Sequence, residues 1–283
     1  MITTHSIFRQ WLGNLLTNQL PENGRQWLQT RVDFTTITGI LTAFVAAPRF
    51  TGKHPISLDS GQRQELSTFV PGFSLLAWPL DRVTRTYLLL YIPGEPKETY
   101  LKAIETLFDT AEMNELVALY VSLPVLAYPE HWVPRSTDAV RSNMGVVFDA
   151  LALGNPYPAQ YFSELAWNQL VMKTIFNDKS VNRIMGLQQR VNPALARIFI
   201  DFAHERWAAG RHVPPESWQL IVPFVNEQII PDLQRLFASG RPEDRAAATL
   251  VCQETPYLPA HVLGQQFPVE GTFSWKNLEI QMA

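Results

Sequence analysis

Cysteine, charge and basic clusters are scarce in this chain of 283 residues, and each scarcity excludes a class of function. Cys252 is the only cysteine, which excludes an intrachain disulfide and a cysteine metal cage and suits a reducing compartment. Charged residues make up 17 % of the chain, the formal net charge is −3, and Lys and Arg form no cluster. A nucleic-acid partner is therefore not expected, because phosphate-backbone binding needs a basic surface.

Long apolar runs are missing as well. The longest uncharged segments are 34–48 and 116–129, both shorter than the roughly 18 residues that cross a bilayer and both interrupted by Thr, Gly or Pro. We expect them to be buried core helices, with no transmembrane segment. The first ten residues lack the basic start, apolar run and cleavage site of a secretory signal, so the sequence predicts a cytoplasmic protein.

The short motifs of common enzyme classes are absent too. The chain contains no Gly-x-Ser-x-Gly, Walker or Gly-x-Gly-x-x-Gly sequence. Asp201-x-x-His204 has the spacing of half a carboxylate di-iron motif, but no second Glu/Asp-x-x-His occurs, and the other histidines show no ligand spacing. We therefore expect no metal and no cofactor.

What the chain does contain is a large apolar fraction with helical periodicity. Hydrophobic residues make up 46 %, with eight Trp and sixteen Phe, so a sizeable core is expected. Ile7, Trp11, Leu15 and Leu16 recur at the spacing of an amphipathic helix. The sequence predicts an all-α fold with thirteen helices near 4–19, 22–47, 58–77, 80–92, 95–110, 112–127, 136–153, 159–177, 193–209, 215–225, 229–239, 242–253 and 257–265.

Thirteen short helices favour an irregular array or stacked helical hairpins. Residues 229–265 read as two successive helix pairs, and the alanines 246–248 are typical of a HEAT-like α-solenoid, in which neighbouring helices approach closely. We predict one domain over 1–283. It would include an N-terminal helical subregion over 1–57 and a loose C-terminal extension over 268–283.

The stretch 155–210 combines more polar side chains with apolar helices than folding alone requires. On the 193–209 helix, Arg197, Asp201 and His204 lie opposite the apolar face, while Arg206 falls within the apolar stripe. This guanidinium either extends out to solvent at the helix end or, if it stays buried, needs a partner. That partner is either a carboxylate, with Glu205 and Asp201 as the natural choices, or the anion of a ligand.

The preceding segment offers similar alternatives. The predicted 159–177 helix is apolar all round apart from polar residues such as Glu164, Asn168 and Lys173. The buried Asn168 amide either ties a neighbouring loop or contacts a ligand. The stiff turn Asn155-Pro-Tyr157-Pro either positions a tyrosine hydroxyl for a ligand or merely separates two helices.

Four strings in this region resemble the hallmark stretches of EboA-domain proteins: Asn155-Pro-Tyr-Pro-Ala-Gln-Tyr-Phe, Ala166-Trp-Asn-Gln, Asn192-Pro-Ala-Leu-Ala-Arg and His204-Glu-Arg-Trp-Ala-Ala-Gly-Arg. The resemblance is strong over 144–265 and general before that. It implies membership of the ebo gene cluster, beside an aromatic prenyltransferase and other biosynthetic enzymes. In cyanobacteria that cluster is associated with moving the scytonemin precursor to the periplasm. The resemblance implies that the protein belongs to this pathway, but it identifies no catalytic residues.

Two functions follow as hypotheses. The first is a non-catalytic helical accessory protein that binds a hydrophobic or aromatic pathway intermediate or another ebo-cluster protein. The second is an enzyme that uses Asp201, His204 and Glu205 as acid and base groups. The residues expected to bind the ligand or partner are Asn155, Tyr157, Glu164, Trp167, Asn168, Lys173, Arg197, Asp201, His204, Glu205 and Arg206.

Overall fold

The computed structural model describes residues 2–280 and confirms an all-α fold. About 70 % of the chain is helical. Within the described range no strand forms, and the β-type pairing is limited to an isolated antiparallel bridge between Pro55 and Pro79.

The chain divides into two compact units, one ending at Phe162 and the other beginning at Ser163. The prediction of one continuous domain, with a subregion over 1–57, stays a prediction. Two 3₁₀ turns, Leu123–Val125 and Pro129–Trp132, join helices of the first unit. Its α-helices are α1 (Ile2–Gln19), α2 (Glu22–Thr30), α3 (Ile37–Thr51), α4 (Ser60–Phe69), α5 (Leu80–Leu89), α6 (Lys97–Thr110), α7 (Met113–Ser122), α8 (Val133–Arg141), α9 (Gly145–Ala152) and α10 (Tyr157–Tyr161).

The second unit also contains two 3₁₀ helices, Val181–Arg183 and Pro215–Phe224. The second of these is long, and it packs against α13, α15 and α17. The α-helices of this unit are α11 (Glu164–Phe176), α12 (Leu187–Arg190), α13 (Pro193–Ala208), α14 (Ile230–Phe237), α15 (Pro242–Glu254), α16 (Leu258–Gln266) and α17 (Trp275–Ile280).

The prediction of one helix over 22–47 is wrong, because a capped turn divides it into α2 and α3. The Asp33 carboxylate accepts hydrogen bonds from the Thr35 amide and from the Thr35 and Thr36 hydroxyls. Thr36 then caps α3 by accepting a bond from the Gly39 amide at 3.1 Å. Short polar side chains that bond nearby backbone compete with helix in this way.

Three further predicted helices have different bounds. The 136–153 segment is split between α8 and α9, and the 58–77 segment ends at Phe69, before Pro71-Gly72. The 159–177 helix starts only at Glu164, where the Ser163 hydroxyl accepts a bond from the Ala166 amide at 3.3 Å. A serine N-cap thus sets the start of α11.

The C-terminal segment 268–283, expected to be a loose extension, contains α17. Leu278 is buried, and the Asn182 side chain donates to the Trp275 carbonyl at 2.9 Å. The Trp275 indole donates to Glu254 at 2.9 Å. The described part of this segment is therefore attached to the second unit by both packing and hydrogen bonds.

The core of the first unit holds an ion cluster that sequence patterns did not indicate. Arg85 on α5 is 3 % exposed and donates from Nε to the Phe44 carbonyl of α3 at 3.0 Å. Its guanidinium lies 3.5 Å from Asp81 and 3.3 Å from Glu115 of α7. Burial lowers the pKa of Arg85, and the two carboxylates oppose that shift. One guanidinium thus joins α3, α5 and α7.

The second unit is centred on the fully buried Trp218 of the long 3₁₀ helix. Ala246, Ala247 and Ala248 of α15 are buried, which lets neighbouring helices approach closely. HEAT-like repetition of these helices stays a prediction.

Candidate functional site

The α13 helix presents its polar residues as the helical wheel predicts. Arg197, Asp201, His204 and Glu205 are exposed, while Leu195, Phe199 and Ala203 are buried. The exposed side chains of Asp201 and Glu205 form no hydrogen bond or ion pair among the described residues. Four of the predicted residues therefore share the solvent side of one helix.

His204 pairs with a residue that sequence spacing did not indicate. Its Nε2 lies 2.7 Å from an Asp232 carboxylate oxygen, and Asp232, on α14, is only 8 % exposed. The acid group that orients His204 is thus Asp232 and not Asp201 or Glu205. Its position 28 residues further along the chain explains why local spacing could not find it.

Arg206 is not buried within an apolar stripe, and its expected partners Glu205 and Asp201 are wrong. Its Nε donates to the His212 carbonyl at 2.9 Å, and its Nη2 lies 4.0 Å from Asp178. Arg206 therefore fastens the turn that follows α13. The reason is its place in the last turn of the helix, where an arginine side chain reaches free carbonyl groups.

An aromatic stack lies beside His204. The Trp207 ring stacks on Trp218 at 5.5 Å, and the Arg235 guanidinium lies over the Trp207 ring at 4.4 Å. His204 tilts against Trp207 at 5.8 Å. Because Arg235 lies on α14 and Trp207 on α13, the stack stabilises the α13–α14 contact.

Asn168 is buried, as predicted, and its partner is the helix cap Asn192. Each amide donates to the other's oxygen, at 3.2 and 2.8 Å, and the Asn192 oxygen also accepts a bond from the Leu195 amide at 2.8 Å. The pair links α11 to the start of α13. Of the two sequence alternatives, these contacts match the amide that ties a neighbouring segment.

The remaining α11 residues differ in burial. Trp167 is fully buried, and the Arg190 guanidinium lies 4.8 Å from its ring. The Trp167 indole N–H has no hydrogen-bond acceptor among the described residues. Glu164 is exposed and Lys173 is half-buried. These side chains do not converge on a single point of the unit.

Asn155 and Tyr157 belong to the first unit, where their polar atoms are engaged with backbone. The Asn155 amide donates to the carbonyls of Tyr120 and Ala150, at 2.9 and 3.1 Å. The Tyr157 hydroxyl donates to the Pro129 carbonyl at 2.6 Å, and burial raises the pKa of that hydroxyl. The stiff turn therefore anchors α10 to its neighbours.

Among residues 2–280, no group of three or more His, Cys, Asp and Glu side chains is arranged to hold a metal ion. In the same part of the chain, every helix is too short or too polar to traverse a bilayer.

A partly enclosed apolar pocket lies elsewhere in the first unit, and its residues are not among the eleven predicted. Its volume is about 200 Å³. Two larger depressions, of about 450 and 520 Å³, are more open to solvent. The residues that line the enclosed pocket are Ile56, Leu58, Arg63, Leu66, Phe73, Ser74, Leu75 and Leu76.

Two loops, held together by backbone hydrogen bonds, form the walls of this pocket. The Ile56 amide donates to the Trp78 carbonyl at 2.8 Å, and the Leu80 amide donates to the His54 carbonyl at 2.9 Å. The Gln19 side chain fixes the first loop by bonding both the amide and the carbonyl of Ser57, at 2.8 and 2.7 Å. The position of the first loop is thus set by backbone and side-chain hydrogen bonds.

The rim carries an exposed leucine beside a strained residue. Leu76 is 76 % exposed, although Phe73 and Leu75 next to it are buried. Ala77 has a φ of 58°, a left-handed conformation that costs about 1–3 kcal/mol for residues other than glycine. The surrounding structure must offset this cost to keep the loop, with Leu76 at the mouth, in its conformation. In the sequence, the only signal of this site is the apolar run 75–80 after Pro71-Gly72.

Comparison with known proteins identifies the family of this chain. Residues 7–222 match the model of a family described as "Metabolite traffic protein EboA". The match includes the helices of the pocket, where the sequence resemblance was only general. Among curated proteins and solved structures, none matches the chain significantly. Because the family model covers well over half of the 283 residues, the chain belongs to the EboA family.

Proposed function

We propose that this protein is a non-catalytic accessory protein of metabolite handling, which binds an apolar pathway intermediate in the pocket of its first unit. The observation that carries the proposal is the partly enclosed, largely apolar pocket with Leu76 exposed at its mouth. A concave, largely apolar site with few polar groups is typical of small-molecule binding. The family description, metabolite traffic, agrees with such a role.

The setting inferred from the resemblance fits this activity. A cluster that contains an aromatic prenyltransferase produces apolar intermediates, which need a carrier or a receiving enzyme in water. We infer that the protein works in the cytoplasm with another ebo-cluster protein as its partner, in a secondary-metabolite pathway of the scytonemin-precursor type.

The size of the pocket limits what it encloses. A volume of about 200 Å³ is below the roughly 300–1,000 Å³ of sites for drug-sized ligands. It accommodates one ring or one short branched hydrocarbon group, and the remainder of the ligand lies across Leu76. Covering a leucine completely is worth about 1.5–3 kcal/mol, so covering this one contributes a factor of about ten in affinity.

The test uses the neutral dye N-phenyl-1-naphthylamine, whose fluorescence rises in an apolar site. We expect saturable binding that Leu76→Gln weakens about tenfold, for the reason above. Leu258→Gln is the matched control, because Leu258 on α16 is 74 % exposed but does not line the pocket. Equal dye affinity in the two variants would refute binding at this pocket.

The enzyme hypothesis has one observation in its favour, the bond of 2.7 Å between His204 and Asp232. A carboxylate that orients a half-exposed histidine is the arrangement of a general base. Asp201 and Glu205 would stand beside it on α13. Conversion of a purified pathway intermediate by this protein alone, abolished by both His204→Ala and Asp232→Asn in folded protein, would establish this alternative. Retention of binding without turnover would favour the accessory role.

A further inference from the structure

We propose that the pocket selects an amphiphilic anion, that is, an apolar ring or hydrocarbon group bearing one acidic substituent, and that Arg63 pairs with that substituent. The inference rests on the proposed function, since it names the class of ligand that the same pocket takes. Arg63 is the only ionisable residue among the eight that line it.

The Arg63 side chain has no counterion among the described residues, although acidic residues are near it in sequence. The carboxylate of Asp59, four residues earlier, caps α4 by accepting a hydrogen bond of 2.8 Å from the Gln62 backbone amide. Glu65 accepts the Trp11 indole N–H at 2.7 Å. Neither carboxylate forms an ion pair with Arg63, so among the described residues its positive charge is left for a ligand at the pocket.

The other lining groups complete the chemical description. The floor consists of buried apolar side chains, including Leu66, Phe73 and Leu75, which solvate a ring or alkyl group and reject a charge. Ser74 is exposed at the rim, and its oxygen accepts the Leu76 amide at 3.2 Å, so its hydroxyl proton can be donated to an anion.

A guanidinium suits this task better than an ammonium would. It offers several N–H donors in one plane, which match the two oxygens of a carboxylate, sulfonate or phosphate. An apolar floor with an arginine at its edge therefore orients an amphiphilic anion with the hydrocarbon inside and the acid outside. A neutral or cationic molecule of the same shape cannot form the ion pair with Arg63.

The experiment compares two dyes with the same anilinonaphthalene rings. 8-Anilinonaphthalene-1-sulfonate carries an acid, and N-phenyl-1-naphthylamine does not. We expect Arg63→Gln to raise the Kd of the sulfonate about three- to fivefold, the upper range for a solvent-exposed ion pair, and to leave the neutral dye unchanged. Arg31→Gln is the control, because it removes an exposed arginine of the same unit that does not line the pocket. Circular dichroism verifies that each variant is folded.

The outcomes separate this inference from the function on which it depends. If the neutral dye depends on Leu76 and the sulfonate is indifferent to Arg63, the pocket binds ligands and the anion inference is wrong. If neither dye depends on Leu76, the proposed function itself fails. A third outcome concerns lipid. If the sulfonate dye does not bind, but the protein cosediments with phosphatidylglycerol vesicles and Arg63→Gln abolishes that cosedimentation, then Arg63 serves a lipid surface and the inference is overturned.

Discussion

Replacing Arg85 with methionine is expected to destabilise the protein by about 3–5 kcal/mol, because it leaves Asp81 and Glu115 buried without their counterion. That is a large part of the roughly 5–15 kcal/mol that stabilises a typical domain. Urea denaturation followed by circular dichroism at 222 nm measures it. With an m-value of about 2–3 kcal/mol per M, the midpoint should fall by about 1–2 M.

Two control variants show whether the loss of stability comes from the unpaired carboxylates of the ion cluster. Arg82→Met removes the neighbouring arginine of α5, whose guanidinium lies 5.7 Å from the Trp78 ring, and should cost less than about 1 kcal/mol. Glu115→Gln keeps a hydrogen-bonding side chain and leaves the Asp81 carboxylate paired with the Arg85 guanidinium. It should therefore lower the free energy of unfolding by a similarly small amount. The reasoning would be refuted if Arg85→Met cost no more than Arg82→Met.

Three further predictions concern other parts of the chain. Asn168→Leu should destabilise by about 1–3 kcal/mol in urea denaturation, because it removes the amide partner of Asn192; an unchanged midpoint would contradict the interhelical pair. Burial raises the pKa of Cys252 to about 11, so at pH 8 only about one thiol in a thousand is ionised, and Ellman's reagent should react only as the protein unfolds; rapid labelling of folded protein would contradict this. His204→Ala should destabilise by about 1–3 kcal/mol, because it leaves the largely buried Asp232 carboxylate without its hydrogen-bond partner, and an unchanged midpoint would contradict that pairing.

Helical periodicity predicted the fold class because apolar residues at intervals of three and four are read directly from the sequence. Helix boundaries were less predictable. The break before α3 depends on hydrogen bonds of Asp33 and Thr36, and the start of α11 depends on the Ser163 cap. Such local competition leaves no periodic signal.

The site residues illustrate a second limit. The wheel of α13 correctly predicted that Arg197, Asp201 and His204 face solvent, but the partner of His204 comes from another helix. The pocket is formed by α4 and two irregular loops, which are joined by the backbone bonds from Ile56 to Trp78 and from Leu80 to His54. Loops of this kind depend on the tertiary structure, so neither motif nor spacing could indicate them.

The most direct test of metabolite binding is native mass spectrometry of the protein purified from cells that express its own pathway. The account predicts a bound small molecule, detected as a mass adduct of the folded protein, that is depleted in Leu76→Gln and retained in Leu258→Gln. An adduct-free wild-type protein, or an adduct that persists equally in both variants, would contradict binding at the pocket of the first unit.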